Sequence, residues 1–159
     1  MSDNVESLRN QLQTFEDHLS IKQLRYSYCY AMDEQDWDSL ETLFTPDATL
    51  DYGGLGTYSG QEGIREFAET VVESQLRATA HAVHNPVLSI KGDTATGKWY
   101  VTSPILFEDG TGGFRWGRYN ESYRRLETGW KISALTLRFL FATDFDKTSW
   151  GNWQYLSPD

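Results

Sequence analysis

The sequence predicts an α+β protein: a cone-shaped half-barrel of curved, mainly antiparallel sheet, closed by N-terminal helices around an internal cavity. Three observations carry this reading. As far as Val72, apolar residues recur three and four apart, which is helical periodicity. From Leu76 onward the period changes to two, and the separators become turn chemistry, as at Lys91-Gly92-Asp93 and Glu127-Thr128-Gly129. The alternating runs are about 12 residues or longer, against a usual strand of ~5–6, and strands that long twist and curl. Helices first and strands second is an α+β order.

Taken in order, residues 1–19 place Val5, Leu8, Leu12, Phe15 and Leu19 at helical spacing, which predicts a leading helix. Ser20 is placed to cap a second helix, with Gln23 three residues on as in a capping box. Ile21, Leu24, Tyr28, Ala31 and Met32 would form its buried face. Asp33 falls on its last turn, where the macrodipole disfavours a carboxylate by ~0.3–1 kcal/mol. Trp37 to Phe44 resumes as a short helix, Thr45-Pro46-Asp47 breaks it, and Ala48 to Tyr52 reads as a strand. After the Gly53–Gly56 loop, Gln61 to Ser74 is a helix with Ile64, Phe67, Ala68, Val71 and Val72 on one stripe. Four strands follow, Leu76 to Ile90, Thr94 to Phe107, Phe114 to Leu126 and Trp130 to Ala142, as an antiparallel meander. The tail from Thr143 to Asp159 holds Trp150, Trp153 and Tyr155, expected to cover the cavity mouth or dock on a neighbouring subunit.

Composition narrows the function. At 159 residues the chain is expected to be one domain, residues 1–159. A net charge of −9 argues against nucleic acid and against anionic membranes. A lone cysteine, Cys29, excludes an internal disulfide framework and fits a reducing compartment. No apolar run precedes a cleavage site and none approaches the ~18 residues of a membrane span, so the expectation is a cytoplasmic protein. Aromatics at 14% suit a sheet, and they also suit an aromatic-lined pocket for a small hydrophobic molecule. Tyr52, Tyr100 and Trp116 are the candidate substrate-binding residues.

The chemistry rests on few side chains. His81 and His84 lie in Thr79-Ala-His-Ala-Val-His-Asn-Pro86, where residues three apart on a strand face opposite sides. That spacing argues against metal, which needs both imidazoles converging with a carboxylate, so neither metal nor cofactor is expected. His81 has two readings, a packed residue with one satisfied hydrogen bond or a base. Arg138 interrupts Leu135-Thr-Leu-Arg-Phe-Leu-Phe141. It either faces solvent or, if buried, needs an anion, because an unpaired buried charge is costly.

With Asp33, His81 and Arg138 assembled, the chain resembles the SnoaL-like branch of the nuclear transport factor 2-like superfamily. The resemblance runs from Ile21 to about Phe145. Its motifs are Tyr28-x-x-x-x-Asp33, Trp37-Asp-x-Leu40 with Phe44-x-Pro-Asp-Ala48, Gly56-x-Tyr58-x-Gly60, the His81 segment, and Ala95-Thr-Gly-x-Trp-Tyr100. Tyr123 through Gly129-Trp130-Lys131-Ile132 matches the closing hairpin. Within that branch the pattern is similar to the scytalone dehydratase, bile acid 7α-dehydratase and hexachlorocyclohexane dehydrochlorinase lyases. The resemblance implies a catalytic Asp33–His81 pair in the cavity, with Tyr28 and Arg138 as further catalytic residues and His84 as a pocket position. It also implies a homo-oligomer, trimer or dimer. The expected activity is a cofactor-independent β-elimination, such as a dehydration, on a small hydrophobic cyclic substrate. An isomerase or polyketide cyclase using the same pair is the alternative within enzymes. A non-catalytic binding module, like a dioxygenase small subunit, is the alternative outside them, since fold alone does not establish activity.

Overall fold

The structure, a computed structural model, describes residues 2–146. The aromatic tail positions Trp150, Trp153 and Tyr155 lie outside the described residues. The first element, α1, is one helix over Ser2–Asp33. The expected boundary at Ser20 is therefore absent. Between Ser2 and Asp33 there is no glycine or proline to interrupt the ladder, and a single mid-helix serine is weaker than either. What changes near residue 20 is the buried face. Leu19 is 51% exposed and Ile21 fully buried, two residues or about 200° further round the helix.

The helix stops where Gln35 takes a left-handed backbone, at φ 55°. Asp36 then caps α2 (Trp37–Thr42) by accepting from the Ser39 N–H at 3.0 Å. Strand β1 (Phe44–Asp51) begins two residues later. Pro46, expected to break the chain ahead of the strand, instead sits inside it, where the pairing with the last strand shifts register between Phe44 and Thr49. A bulge accommodates a residue that cannot donate to the ladder. Short β2 (Thr57–Ser59) leads into α3 (Gly60–Phe67), which continues as a π-helical turn over Ala68–Glu73.

The expected first long strand is two strands, β3 (Leu76–Thr79) and β4 (Ala82–Lys91), both antiparallel to β5 (Thr94–Phe107). Their registers, Thr79 opposite Ile105 and Ala82 opposite Thr102, leave Ala80 and His81 facing Pro104 and Ser103 without a complete ladder. Pro104 has no N–H to offer there, so the pairing lapses for two residues. β6 (Gly112–Leu126) and β7 (Gly129–Phe145) complete the sheet, and β7 runs three residues into the expected tail.

The sheet is curved, unclosed and mixed, in the order β2-β1-β7-β6-β5-β3 with β4 also on β5. Every described pairing is antiparallel except β1 with β7. The rear half of α1 packs on β4 and β7, and α3 on β1, so the helices close the concave face. The core between them holds Ile21, Tyr28, Leu40, Phe44, Leu50, Ile64, Trp99 and Ile132.

Candidate active site

Asp33 and His81 meet at the open end of this core. The backbone N–H of His81, released by the lapse in the ladder, donates to Asp33 Oδ2 at 2.8 Å. His81 Nδ1 lies 2.6 Å from Asp33 Oδ1. Both carboxylate oxygens are thus committed to one residue. Such an acceptor holds the proton on Nδ1 and leaves Nε2 as the ring nitrogen free for a ligand.

His81 lines a cavity of about 260 Å³, near the lower end of ligand pockets at ~300–1,000 Å³. Asp33 is not on that wall and stands behind the imidazole. This placement resolves the angular relation of Asp33 and Tyr28, which are five residues or about 140° apart on α1. The acid turns away towards His81 while the tyrosine faces the cavity. Tyr28 is fully buried, and its hydroxyl is 3.0 Å from that of Tyr52, also on the wall. Tyr52 stacks on Phe67 with ring centroids 3.8 Å apart. Burial drives both phenols well above their ordinary range, so both keep their protons at neutral pH and can donate. Met32, Phe67, Val72, Ile105, Leu137 and Phe139 make the wall mainly apolar, and Thr79 and Ser103 share a hydrogen bond at 2.6 Å on it.

Four of the expected site residues are elsewhere, and strand register says why. Cross-strand pairing sets His84 beside Tyr100, Tyr100 beside Arg118, and Arg118 beside Arg138, one row on a single face of the sheet. The cavity is lined by the alternate set on β5, Val101, Ser103, Ile105 and Phe107. His84 and Tyr100 stack on each other outside the cavity, with centroids 5.9 Å apart. Trp116, opposite Thr102, is 38% exposed and packs near Phe114. Arg138 pairs with Asp51, Nη1 to Oδ1 at 2.9 Å with a second contact from Nη2 to Oδ2, and its side chain is 48% exposed. It is the solvent-facing reading that holds, because Leu137 and Phe139 take the inward positions on either side.

The cavity has a different guanidinium. Arg115 on β6 is opposite Ser103, in the cross-strand row that continues to His81, two strands or about 10 Å across. Among the described residues it is the only arginine or lysine on the wall. Asp144 pairs with its Nη2 at 2.6 Å, and Nη1 donates to the carbonyls of Phe114 and Thr143. Nε is uncommitted among these bonds. The sequence carried no sign of it: Phe114-Arg-Trp116 alternates, and with Trp116 read as facing the pocket the arginine falls on the outward parity, which the register of the sheet reverses.

Below the tyrosines lies a buried ion pair. Arg25 Nη1 meets Glu121 Oε1 at 2.9 Å with both side chains wholly buried. The guanidinium stacks 4.1 Å from the Tyr28 ring and 3.7 Å from the Tyr119 ring. Burial pushes the Glu121 carboxyl up, and Arg25 and the Tyr123 hydroxyl pull it back. Nε and Nη2 of Arg25 have no hydrogen-bond partner, so the aromatic faces take the place of acceptors. Among the described residues no three His, Cys, Asp or Glu side chains group as metal ligands. None of the described helices is long and apolar enough to cross a membrane.

Comparison with known proteins agrees with this architecture. An uncharacterized protein of Mycobacterium tuberculosis is 31% identical over 125 residues, covering 73% of this chain and 80% of that protein. A crystal structure from Novosphingobium aromaticivorans, provisionally named an aromatic ring hydroxylase, is 34% identical, with a TM-score of 0.77 over 82% of this chain and 94% of its own. The hexachlorocyclohexane dehydrochlorinase of Novosphingobium barchaimii shares the fold at 21% identity, with a TM-score of 0.82 over 93% and 99% of the two chains. The family model described as a SnoaL-like domain matches residues 13–136. The chain belongs to the SnoaL-like family.

Proposed function

We propose that the protein is a lyase that removes a proton and a leaving group from adjacent carbons of a small hydrophobic cyclic substrate, as a dehydratase does. The observation that carries this reading is the double grip of Asp33 on His81, which presents Nε2 to a mainly apolar cavity. Nε2 takes the proton from a carbon next to a carbonyl. The electron pair of that C–H bond becomes the new double bond, and the hydroxyl on the neighbouring carbon leaves as water with the proton that His81 returns. Asp33 stabilises the imidazolium in between, as the buried acid of a triad does.

The carbonyl oxygen gathers charge as the proton leaves. The Tyr28–Tyr52 pair offers an O–H donor for it, and Arg115 offers positive charge from the same row as His81. Preorganised donors of this kind are often the largest catalytic term. Two further facts support the reading: the fold is shared with a dehydrochlorinase, and the Novosphingobium aromaticivorans relative is named for aromatic rings, which fit the aromatic wall.

The test is incubation with a panel of cyclic β-hydroxy ketones and mass detection of products. Products lighter by one water, formed by the natural chain and lost in His81→Ala, are the expected result. Isomers of unchanged mass would replace elimination by isomerisation. Binding without turnover across the panel, with equal affinity in His81→Ala, would make the protein a binding module.

A further inference from the structure

The first half of α1 borders the body along Asn10, Gln13, Thr14 and Asp17, beside Ile90, Gly92, Asp93 and Arg125, and every residue from 4 to 16 is exposed. Its most prominent face is nevertheless apolar. Val5, Leu8, Leu12, Phe15 and Leu19 are 50%, 57%, 58%, 62% and 51% exposed. They are spaced 3, 4, 3 and 4 apart, the a and d positions of a heptad. This stripe is no margin of the core, because the stripe that packs on the sheet, from Ile21 to Met32, begins about 200° round the same helix. A contiguous apolar face of this kind marks an interaction site.

Charge says what fits it. With Leu12 at a and Phe15 at d, the e positions are Arg9 and Glu16, and the g positions are Gln11 and His18. Among the described residues no ion pair uses Arg9 or Glu16. Charges flanking a heptad seam set partner and orientation. We infer that the stripe pairs with the same stripe of a second copy of this chain, the two helices running antiparallel. That orientation layers Leu12 on Phe15 of the partner subunit and Leu19 on the partner's Leu8. It also brings e against e, so Arg9 meets the partner's Glu16, and two-fold symmetry makes the contact twice. A parallel pair would set g against e, facing Glu16 with the partner's Gln11 and Arg9 with the partner's Asn4, and would compensate neither charge. An anionic membrane is a poor occupant, because Asp3, Glu6, Glu16 and Asp17 outnumber Arg9 on this segment.

Sedimentation equilibrium of the full chain tests the pairing. The natural protein is expected to associate with concentration, and Leu12→Glu, at an exposed position that leaves the circular dichroism unchanged, is expected to abolish that step. Arg9→Glu and Glu16→Arg should each raise the dissociation constant severalfold, since each turns both cross-pairs into like charges. Mixing the two single variants should restore association, because one then supplies two acids and the other two bases. The double variant should restore it as well. A natural chain whose stripe variants all sediment alike overturns the proposal. So does loss of association in Leu12→Glu without rescue on mixing, which would place another segment or partner on the stripe.

Discussion

The Asp33 carboxylate holds His81 by two atoms at once, the backbone N–H at 2.8 Å and Nδ1 at 2.6 Å. Asp33→Asn keeps the shape and reverses one donor. If its amide oxygen retains the backbone bond, its NH₂ faces Nδ1 and drives the ring proton to Nε2, where a base must be empty. Turnover is expected to fall on the order of 10⁴-fold, the size of a wrong-tautomer defect in a triad. His81→Ala is expected to fall by about 10²–10⁴-fold, the usual contribution of a general base. Steady-state kinetics with circular dichroism as a folding control checks both, and near-natural turnover in either variant would sink the dyad.

Tyr28 and Tyr52 share one hydrogen bond at 3.0 Å, so one of the two O–H groups is left for the substrate. Replacing the free donor by phenylalanine should lower kcat by about 10²–10³-fold, the measured range for one oxyanion donor. The double variant should be little worse than the more damaging single one, since groups in one network do not add. Comparing kcat for Tyr28→Phe, Tyr52→Phe and the pair identifies which hydroxyl faces the substrate.

Arg115 and Arg138 make a contrast that activity can read. Arg115→Gln is expected to reduce kcat on the order of 10²-fold by removing charge from the cavity wall. Arg138→Gln, whose partner Asp51 is on the sheet's other side from the cavity, should leave kcat within about twofold and stability within ~1 kcal/mol. The reverse pattern in parallel assays would make Arg138, not Arg115, the guanidinium that stabilises charge on the carbonyl oxygen.

The Arg25–Glu121 pair belongs to stability. Both side chains are fully buried, so Arg25→Met leaves an uncompensated carboxylate and is expected to destabilise by about 3–5 kcal/mol. Replacing both members with apolar residues should recover much of that loss. Urea unfolding of the single and double variants measures it.

Asp17 gives the fold an acid limit. Arg125 grips it at 2.7 and 2.5 Å, with further bonds from Trp130 and Gln13, tying α1 to the β6–β7 hairpin. The Arg125 hydrogen bonds hold its carboxyl below the ordinary value of 3.8, against the opposing effect of burial. A depressed acid stabilises the fold above its unfolded pKa, and that stability is lost as pH falls through the folded value. Urea midpoints should therefore fall from about pH 5 downward, and Asp17→Asn should flatten that limb while lowering the plateau.

Much of the fold was legible because alternation and turn chemistry are local. Thr94–Phe107 is a strand with the expected bounds, and β6 and β7 differ from expectation by only a few residues. The boundaries that moved did so for non-local reasons. Ser20 read as a cap because the buried stripe starts there, yet nothing in the chain stops the helix. Leu76 to Ile90 read as one strand because its lapse is caused by Pro104, on the neighbouring strand.

Sequence alone determined the helices-then-sheet order, the family motifs, and Asp33 and His81 as residues worth pairing. Only the tertiary structure decided which other side chains share their cavity. A strand's parity is local, but which parity faces inward depends on register with its neighbours. That register sends His84, Tyr100 and Arg138 to one row and sets Arg115 in line with His81. It also decided that the apolar stripe at the start of α1 faces away from the core, because the turn of the helix between Leu19 and Ile21 can point only one of them at the sheet.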